Sequence, residues 1–275
     1  MTLLAVENLT VTFPSRQGPQ SVVRNVSFTL GRERLGIVGE SGSGKSQTGR
    51  ALLGLTPTSG LATADRMEFD GIDLRAASPA QWRKLRGARM SMVMQDPKFS
   101  LNPVMTIGRQ LAEAARRVAS GRADARDRAV AMLEAVQIRD PARVMAAYPH
   151  ELSGGMGQRA MIAMMLITEP DLLIADEPTS ALDVTVQIEV LRILDDLVTS
   201  RGMGLIFISH DLQLVSSFCD RVLVMYAGRV VEELRAADLA QAQHPYTRGL
   251  MGCLPRIDGD QRPLPTLQRD EAWAR

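Results

Sequence analysis

One octapeptide constrains the fold of this chain more than any other feature. Gly39-Glu40-Ser41-Gly42-Ser43-Gly44-Lys45-Ser46 matches G-x-x-x-x-G-K-S. It follows the apolar run at 35–38 and opens a segment of helical character at 45–53, which stops at Gly54 with Pro57 beyond. Glycines let consecutive backbone N–H groups turn inward around an anionic β-phosphate, and the helix N-terminus adds favourable partial charge. Lys45 is spaced to reach the β- and γ-phosphates, and the Ser46 hydroxyl to ligate Mg²⁺. The bland alternative is a glycine turn with a solvated lysine. The strand before the motif and the helix after it weigh against that alternative.

The rest of the chain supplies the expected surroundings. Residues 3–13 and 21–30 read as strands separated by the Pro/Gly-containing loop 14–20, and 34–38 is a third apolar run. Residues 67–69 and 90–94 are further strand candidates. From 107 to 147 the pattern turns helical, dominated by Ala, Leu, Arg and Glu and punctuated by Gly121 and Pro141, which predicts an inserted helical subdomain from Gln95 to about Gln158. Helices at 159–168, 184–200 and 211–219 then alternate with strands at 172–175 and 205–209. A terminal hairpin at 222–226 and 229–233 turns at Ala227-Gly228. Strands alternating with helices imply a mostly parallel sheet covered on both faces. Past Ala236 the chain becomes rich in Pro, Gln and Arg and reads as a short extension.

Composition excludes several function classes. Thirty-two basic residues against 31 acidic ones leave a net charge of +1, without the basic excess of a bulk nucleic-acid binder. Two cysteines, Cys219 and Cys253, make neither a disulfide framework nor a four-thiolate metal site, and they suit a reducing compartment. The first residues carry no basic region followed by a long apolar stretch, so no secretory signal is expected. The longest apolar run, 160–167, ends at Thr168-Glu169-Pro170 and falls short of the roughly 20 residues a membrane helix needs. A membrane role would have to come through partners.

Two further stretches carry chemistry. Leu172-Leu173-Ile174-Ala175-Asp176-Glu177 is a buried strand ending in two carboxylates. Asp176 sits at the carboxyl end, where open α/β sheets bind ligands, and suits Mg²⁺ held through water. Glu177 could polarise an attacking water. Leu152-Ser153-Gly154-Gly155-Met156-Gly157-Gln158 offers Ser153 as an N-cap and glycines that expose N–H groups at a helix start, a second anion site on the same chain. Two phosphate-binding surfaces far apart in sequence suggest a composite site built between two copies.

In this order the residues resemble the ATPase subunits of ABC transporters, over about residues 3–233. The resemblance covers the Walker A loop 39–46, Gln95 of the Q-loop, the signature 152–158, Walker B 172–176 with Glu177, the D-loop Ser180-Ala181-Leu182-Asp183, and His210 of the switch. It implies an α/β fold, a P-loop NTPase core with a mostly parallel sheet, an antiparallel β subdomain and the inserted α-helical subdomain at about 95–158. The nucleotide-binding domain would span 1–235, with a short C-terminal extension at 236–275. ATP and Mg²⁺ are the implied cofactors. Residues 39–46 and Gln47 would bind the nucleotide, and Phe13 would stack on adenine unless it is an ordinary core aromatic. Ser46, Gln95 and Asp176 would serve the metal. Glu177, Gln95 and His210 would be catalytic, with His210 touching the γ-phosphate. Ser153, Gly154 and Gly155 would act on the nucleotide of the opposite subunit, and Asp183 would shape the dimer interface.

Finer features look like importers of the oligopeptide, dipeptide and nickel group: Gln95-Asp96-Pro97, Ser100-Leu101-Asn102-Pro103, Gly154-Gly155-Met156 and His244-Pro245-Tyr246-Thr247. Gly157 departs from an arginine common there. A tail holding only Cys253 predicts no iron–sulfur cluster. The implied role is a peripheral ATPase on the cytoplasmic face of the inner membrane that drives import of peptides, or alternatively of nickel. Its partners would be two membrane permease subunits, a second ATPase subunit (a sister chain or itself) and, indirectly, an extracytoplasmic substrate-binding protein, with no nucleic acid. A soluble ABC-type ATPase acting on nucleic acid or ribosomes is the alternative of another class; a P-loop kinase would lack the signature. Asp96, Phe99 and Leu101 are expected to line a groove that receives a permease helix.

Overall fold

The computed structural model describes residues 1–94, 100–179, 183–253, Asp270 and Trp273. Gln95, Asp96, Phe99 and residues 180–182, for which roles were expected, lie outside the described residues. The chain divides into two compact units, one of Met1–Ala77 with Ile206–Arg275, the other of Ser78–Leu205.

The first unit holds an antiparallel sheet and the strands around the phosphate loop. Strands β1 (Leu4–Phe13) and β2 (Gln20–Leu30) pair from Leu4↔Leu30 to Phe13↔Gln20. Along the edge of β1 away from β2, β4 (Leu61–Thr63) pairs with Thr10–Thr12 and β5 (Arg66–Phe69) with Leu4–Glu7, and β6 (Ile72–Asp73) pairs with β5. The β1–β2 register shifts around Leu9, near Asn8 and Asn25. Both asparagines have positive φ, a conformation their short polar side chains tolerate. Val26, Phe28 and Leu30 of β2 are buried on alternating positions, as one covered face requires, and Val23 is buried beyond a register shift.

The second sheet of this unit runs β11-β10-β3-β9, with β3 (Arg34–Val38), β9 (Gly204–Ser209), β10 (Arg221–Tyr226) and β11 (Arg229–Arg235). Strands β3 and β10 are parallel, Leu35 opposite Arg221 through Val38 opposite Val224. Their continuous apolar runs are buried throughout, the pattern of strands covered on both faces. The β10–β11 hairpin turns on Ala227 and Gly228, both at positive φ, which matches the twist of the flanking strands. Helices α1 (Lys45–Leu52) and α8 (Leu212–Phe218) belong to this unit. The segment after β11 is more than a polar tail. It forms a 3₁₀ turn at Ala236–Gln241 and helix α9 at Pro245–Gly252, with Tyr246 and Thr247 fully buried.

The second unit begins with α2 (Pro79–Leu85) and β7 (Met90–Val93). Then come α3 (Ile107–Ala115), α4 (Arg122–Ala135), α5 (Pro141–Ala146) and α6 (Gly154–Leu166), followed by β8 (Leu172–Asp176) and α7 (Val184–Arg201). Strands β7 and β8 are parallel, Met90 opposite Leu172 through Val93 opposite Ala175. Side-chain oxygens cap the helices where the sequence supplies them: Thr106 for α3, Asp140 with Pro141 for α5, Ser153 for α6 and Asp183 for α7. Small residues on α4, Ala125 and Ala129, let it pack closely and are fully buried. Leu101 is 4% exposed, which corrects its expected place on a docking groove: its side chain is taken up by the interior.

Candidate active site

The phosphate loop leaves β3 at Val38 and enters α1 at Lys45, and its shape depends on two glycines. Gly44 is the residue before α1 with φ +100°, and a Cβ there would lie 2.5 Å from the Val22 carbonyl oxygen. At Gly39 a Cβ would meet the Met225 carbonyl oxygen at 2.1 Å. Any side chain at either place drives the loop off its seat against β2 or β10. The backbone is tied down by the Gly228 N–H donating to the Ser43 carbonyl at 3.1 Å and the Ser43 N–H to the Glu40 carbonyl at 3.2 Å.

Lys45 is 6% exposed. Its ammonium donates to the Gly39 carbonyl at 2.7 Å and the Glu40 carbonyl at 2.9 Å. A cation buried among backbone carbonyls is held in place until an anion competes for it. Ser43 Oγ and Gln47 Oε1 are buried with no hydrogen-bond partner among the described residues. Buried polar atoms are rarely left so. A polyphosphate would bring acceptors to the hydroxyl, and its hydration shell would bring donors to the amide oxygen. Ser46 is half-buried one residue into α1.

His210 follows the last residue of β9 and is exposed. With Gly39, Glu40, Ser41, Leu212, Leu250 and Cys253 it lines a cleft of about 460 Å³. His210 therefore shares a cleft with the start of the phosphate loop. Cys253 in that cleft is half-buried, while Cys219 is buried and its thiol is pushed up to about 12, chiefly by burial. Phe13, at the end of β1, is half-buried, and its ring lies over Gly60, where a Cβ would come within 2.5 Å of it.

In the second unit, Asp176 is the last residue of β8 and is 4% exposed. Glu177 follows with φ +48°, rare for a residue with a side chain. Such backbone strain persists where the surroundings over-determine it, commonly at functional turns. Gln158 is one of those surroundings: it is buried, and its Nε2 donates to the carbonyl of Pro178. Helix α6 is thereby tied to the turn that carries Glu177.

Helix α6 begins at Gly154, five residues before the expected start at 159, because Ser153 caps it by accepting the Met156 N–H at 3.4 Å. The glycines of its first turn masked the helical pattern. Ser153 and Gly154 are exposed, and a Cβ on Gly154 would meet nothing within 4 Å. Gly155 lies against Val186, 3.1 Å from a would-be Cβ. Asp183 caps α7 by accepting the Val186 N–H at 3.0 Å. The N-termini of α6 and α7 thus lie side by side through Gly155 and Val186. This brings Ser153, Gly154, Gly155 and Asp183 onto neighbouring turns.

A family profile described as "ABC transporter" matches residues 23–180. The chain belongs to the ABC transporter family. It is an ATP-binding ABC-type ATPase. A probable peptide ABC transporter ATP-binding protein of Sinorhizobium fredii is 48% identical over 272 residues, covering 96% of this chain and 81% of that protein. An oligopeptide transport ATP-binding protein of Salmonella typhimurium is 45% identical over 268 residues, covering 96% and 80%. Among solved structures, a dimeric ATP-binding cassette in a post-hydrolysis state with ADP and Pi has a TM-score of 0.75 and 26% identity, over 85% of this chain and 98% of that one. Among the described residues, no helix of this ABC ATPase is long and apolar enough to cross a membrane.

Sequence reasoning missed two residues of the site. Gln158 was visible as the end of the signature, but nothing in its spacing says that it reaches Pro178. Tyr246 was visible within His244-Pro245-Tyr246-Thr247, but nothing local says that its hydroxyl meets the phosphate loop: the Glu40 N–H donates to it at 3.0 Å, from 206 positions away.

Proposed function

We propose that this chain is the ATP-hydrolysing subunit of an importer for di- or oligopeptides, working with two membrane permease subunits and a second ATPase subunit. The observation that carries the reading is the run of relatives named for peptide, dipeptide and oligopeptide transport, matched at 44–48% identity over at least 93% of this chain. Its place would be the cytoplasmic face of the membrane, bound through the permeases, with an extracytoplasmic binding protein delivering substrate.

In this reading the N–H groups of residues 39–46 hold the phosphates, Lys45 neutralises the β- and γ-phosphates, and Phe13 stacks on adenine. The hydroxyl of Ser46 and the carboxylate of Asp176, through water, hold Mg²⁺, and Gln95 and Gln47 complete the polar shell. Hard oxygen donors of this kind, few in number, suit a magnesium ion that takes its other ligands from water and phosphates. When bound, Mg²⁺ draws charge from the phosphate oxygens as the γ-phosphoryl leaves. Glu177 orients and deprotonates the attacking water, and His210 steadies the γ-phosphate. Ser153, Gly154 and Gly155, exposed at a helix N-terminus, address the nucleotide on the second ATPase subunit, with Asp183 beside them at that interface.

The test is uptake. Cells lacking the chain, and cells carrying it as wild type or as Glu177→Gln, are given labelled tripeptide or labelled nickel. Tripeptide uptake restored only by the wild-type chain supports the reading. Restoration of nickel uptake alone would replace the peptide with a nickel complex. Restoration of neither would remove the importer role and leave the ATPase.

A further inference from the structure

The amide N–H that meets Tyr246 belongs to the same peptide unit as the Gly39 carbonyl. That unit is held at both ends: Lys45 Nζ donates to its carbonyl at 2.7 Å, and its N–H donates to the Tyr246 hydroxyl at 3.0 Å. A cation on the carbonyl polarises the amide and strengthens the N–H as a donor, so the two bonds support each other. An ammonium has three donors. Bonds to the carbonyls of Gly39 and Glu40 fix where the Lys45 ammonium sits.

The hydroxyl is rigidly aimed. Tyr246 is fully buried, its ring centroid 4.5 Å from that of Tyr226 and 6.0 Å from that of Trp273. His244 Nδ1 accepts the Tyr246 N–H at 3.2 Å at the start of α9. Glu232 on β11 moors the approach, one carboxylate oxygen accepting the N–H groups of Gln243 at 2.6 Å and His244 at 3.2 Å. The segment after β11 thus forms a strap from the second sheet to the start of the phosphate loop, within one unit.

Resting on the reading that residues 39–46 hold ATP phosphates, we propose that Tyr246 is a positioning residue for the nucleotide, its hydroxyl fixing the Gly39–Glu40 peptide and so aiming Lys45. If Tyr246 only anchored the strap, its loss would lower thermal stability and leave ATP affinity of the folded chain unchanged. A positioning role moves affinity, and does so only while Lys45 is there to be aimed.

The experiment is a double-mutant cycle on ATP affinity, by calorimetry well below the melting transition. Tyr246→Phe keeps the ring in its cluster and removes one hydrogen bond. The Kd for ATP should rise about fivefold, the worth of one such bond. In a Lys45→Ala background the same change should move Kd less than about twofold, since the two residues act on one peptide. An unchanged Kd in Tyr246→Phe, or the full fivefold rise without Lys45, overturns the proposal. If Tyr246→Phe does not fold, Glu232→Gln tests it by slackening the mooring; a Kd rise of about two- to threefold supports it, and an unchanged Kd overturns it. If instead Lys45→Ala by itself leaves ATP affinity intact, the phosphate-loop reading has failed, and that failure is distinct from a silent Tyr246→Phe.

Discussion

Replacing Gly44 by alanine tests the phosphate loop where it seats against β2. The new Cβ would start 2.5 Å from the Val22 carbonyl oxygen and 3.4 Å from a Val23 methyl. Ordinary close C···O contacts lie near 3.3 Å, so the loop must retreat by about 0.8 Å. The obstacle is backbone of a paired strand and has no rotamer with which to yield. Forcing a side chain into this space costs about 1–3 kcal/mol, and holding alanine at φ +100° about 1–3 kcal/mol more. The sum, about 2–6 kcal/mol, corresponds to a melting temperature lower by roughly 4–20 °C for a domain of this size. A retreat of that size also takes N–H groups out of the 2.7–3.2 Å range of a good hydrogen bond, so ATP affinity should fall by about tenfold or more. Gly42→Ala is the control: φ is +84° there, but nothing lies within 4 Å of the added carbon, so only the conformational cost, about 1–3 kcal/mol, applies. Differential scanning calorimetry and ATP titration of both variants decide the matter. If Gly44→Ala melts and binds like wild type, or if Gly42→Ala is the more damaged of the two, the steric account of the loop is wrong.

Lys45→Ala removes a charge-assisted contact worth about 1.5–3 kcal/mol and should weaken ATP binding about tenfold or more, read by calorimetry. Glu177→Gln keeps the shape of the turn and removes the carboxylate proposed as the base. Steady-state hydrolysis should drop by about two orders of magnitude, with the ATP-bound dimer accumulating on size exclusion. Near-normal turnover there would move the base elsewhere, with His210 the first candidate. Burial opposes the charge on Glu232, but the Thr247 hydroxyl facing it and the N–H groups of Gln243 and His244 that donate to it outweigh that cost and hold its carboxyl below the usual range. A carboxyl lowered in the folded state lends stability that is fully present above its unfolded value, about 4.5, and is lost as pH falls through the folded value. Acid titration followed by Trp273 fluorescence should therefore show the strap loosening only below about pH 4.5, and Glu232→Gln should lack that step.

Much of this was legible in the sequence because its elements are locally determined. The strand–loop–helix around Lys45 is declared by an apolar run, spaced glycines and a following helical segment, all within twenty residues. Ser153 announces its helix by capping chemistry. Helix α2 could have been found the same way: Ser78 and Gln81 form a capping box around Pro79. What stayed hidden depends on distant partners. Leu101 looked like a surface anchor beside two prolines and is interior, since burial is decided by what folds over it. The chain past Ala236 reads as a short extension rich in Pro, Gln and Arg, yet Tyr246 is among the most buried large side chains. Composition averages over a stretch in which one residue carries the packing. The positive φ of Glu177 leaves no mark in the residue types around it, because the strain is imposed by the surrounding fold and not by the turn's own preference.

The bond from Gln158 to the Pro178 carbonyl has a consequence for how such a subunit keeps time. At one end of α6, Ser153 and Gly154 face solvent; one turn further along, the same helix grips the turn carrying Glu177. A push on the exposed end, from whatever docks there, would be carried along the helix to the backbone that holds the Glu177 carboxylate. Where a second cassette docks on Ser153 and Gly154, as proposed, its nucleotide would bear on Glu177 through α6. Gln158→Leu removes that link, so the turn carrying Glu177 would no longer answer to what docks on the exposed end.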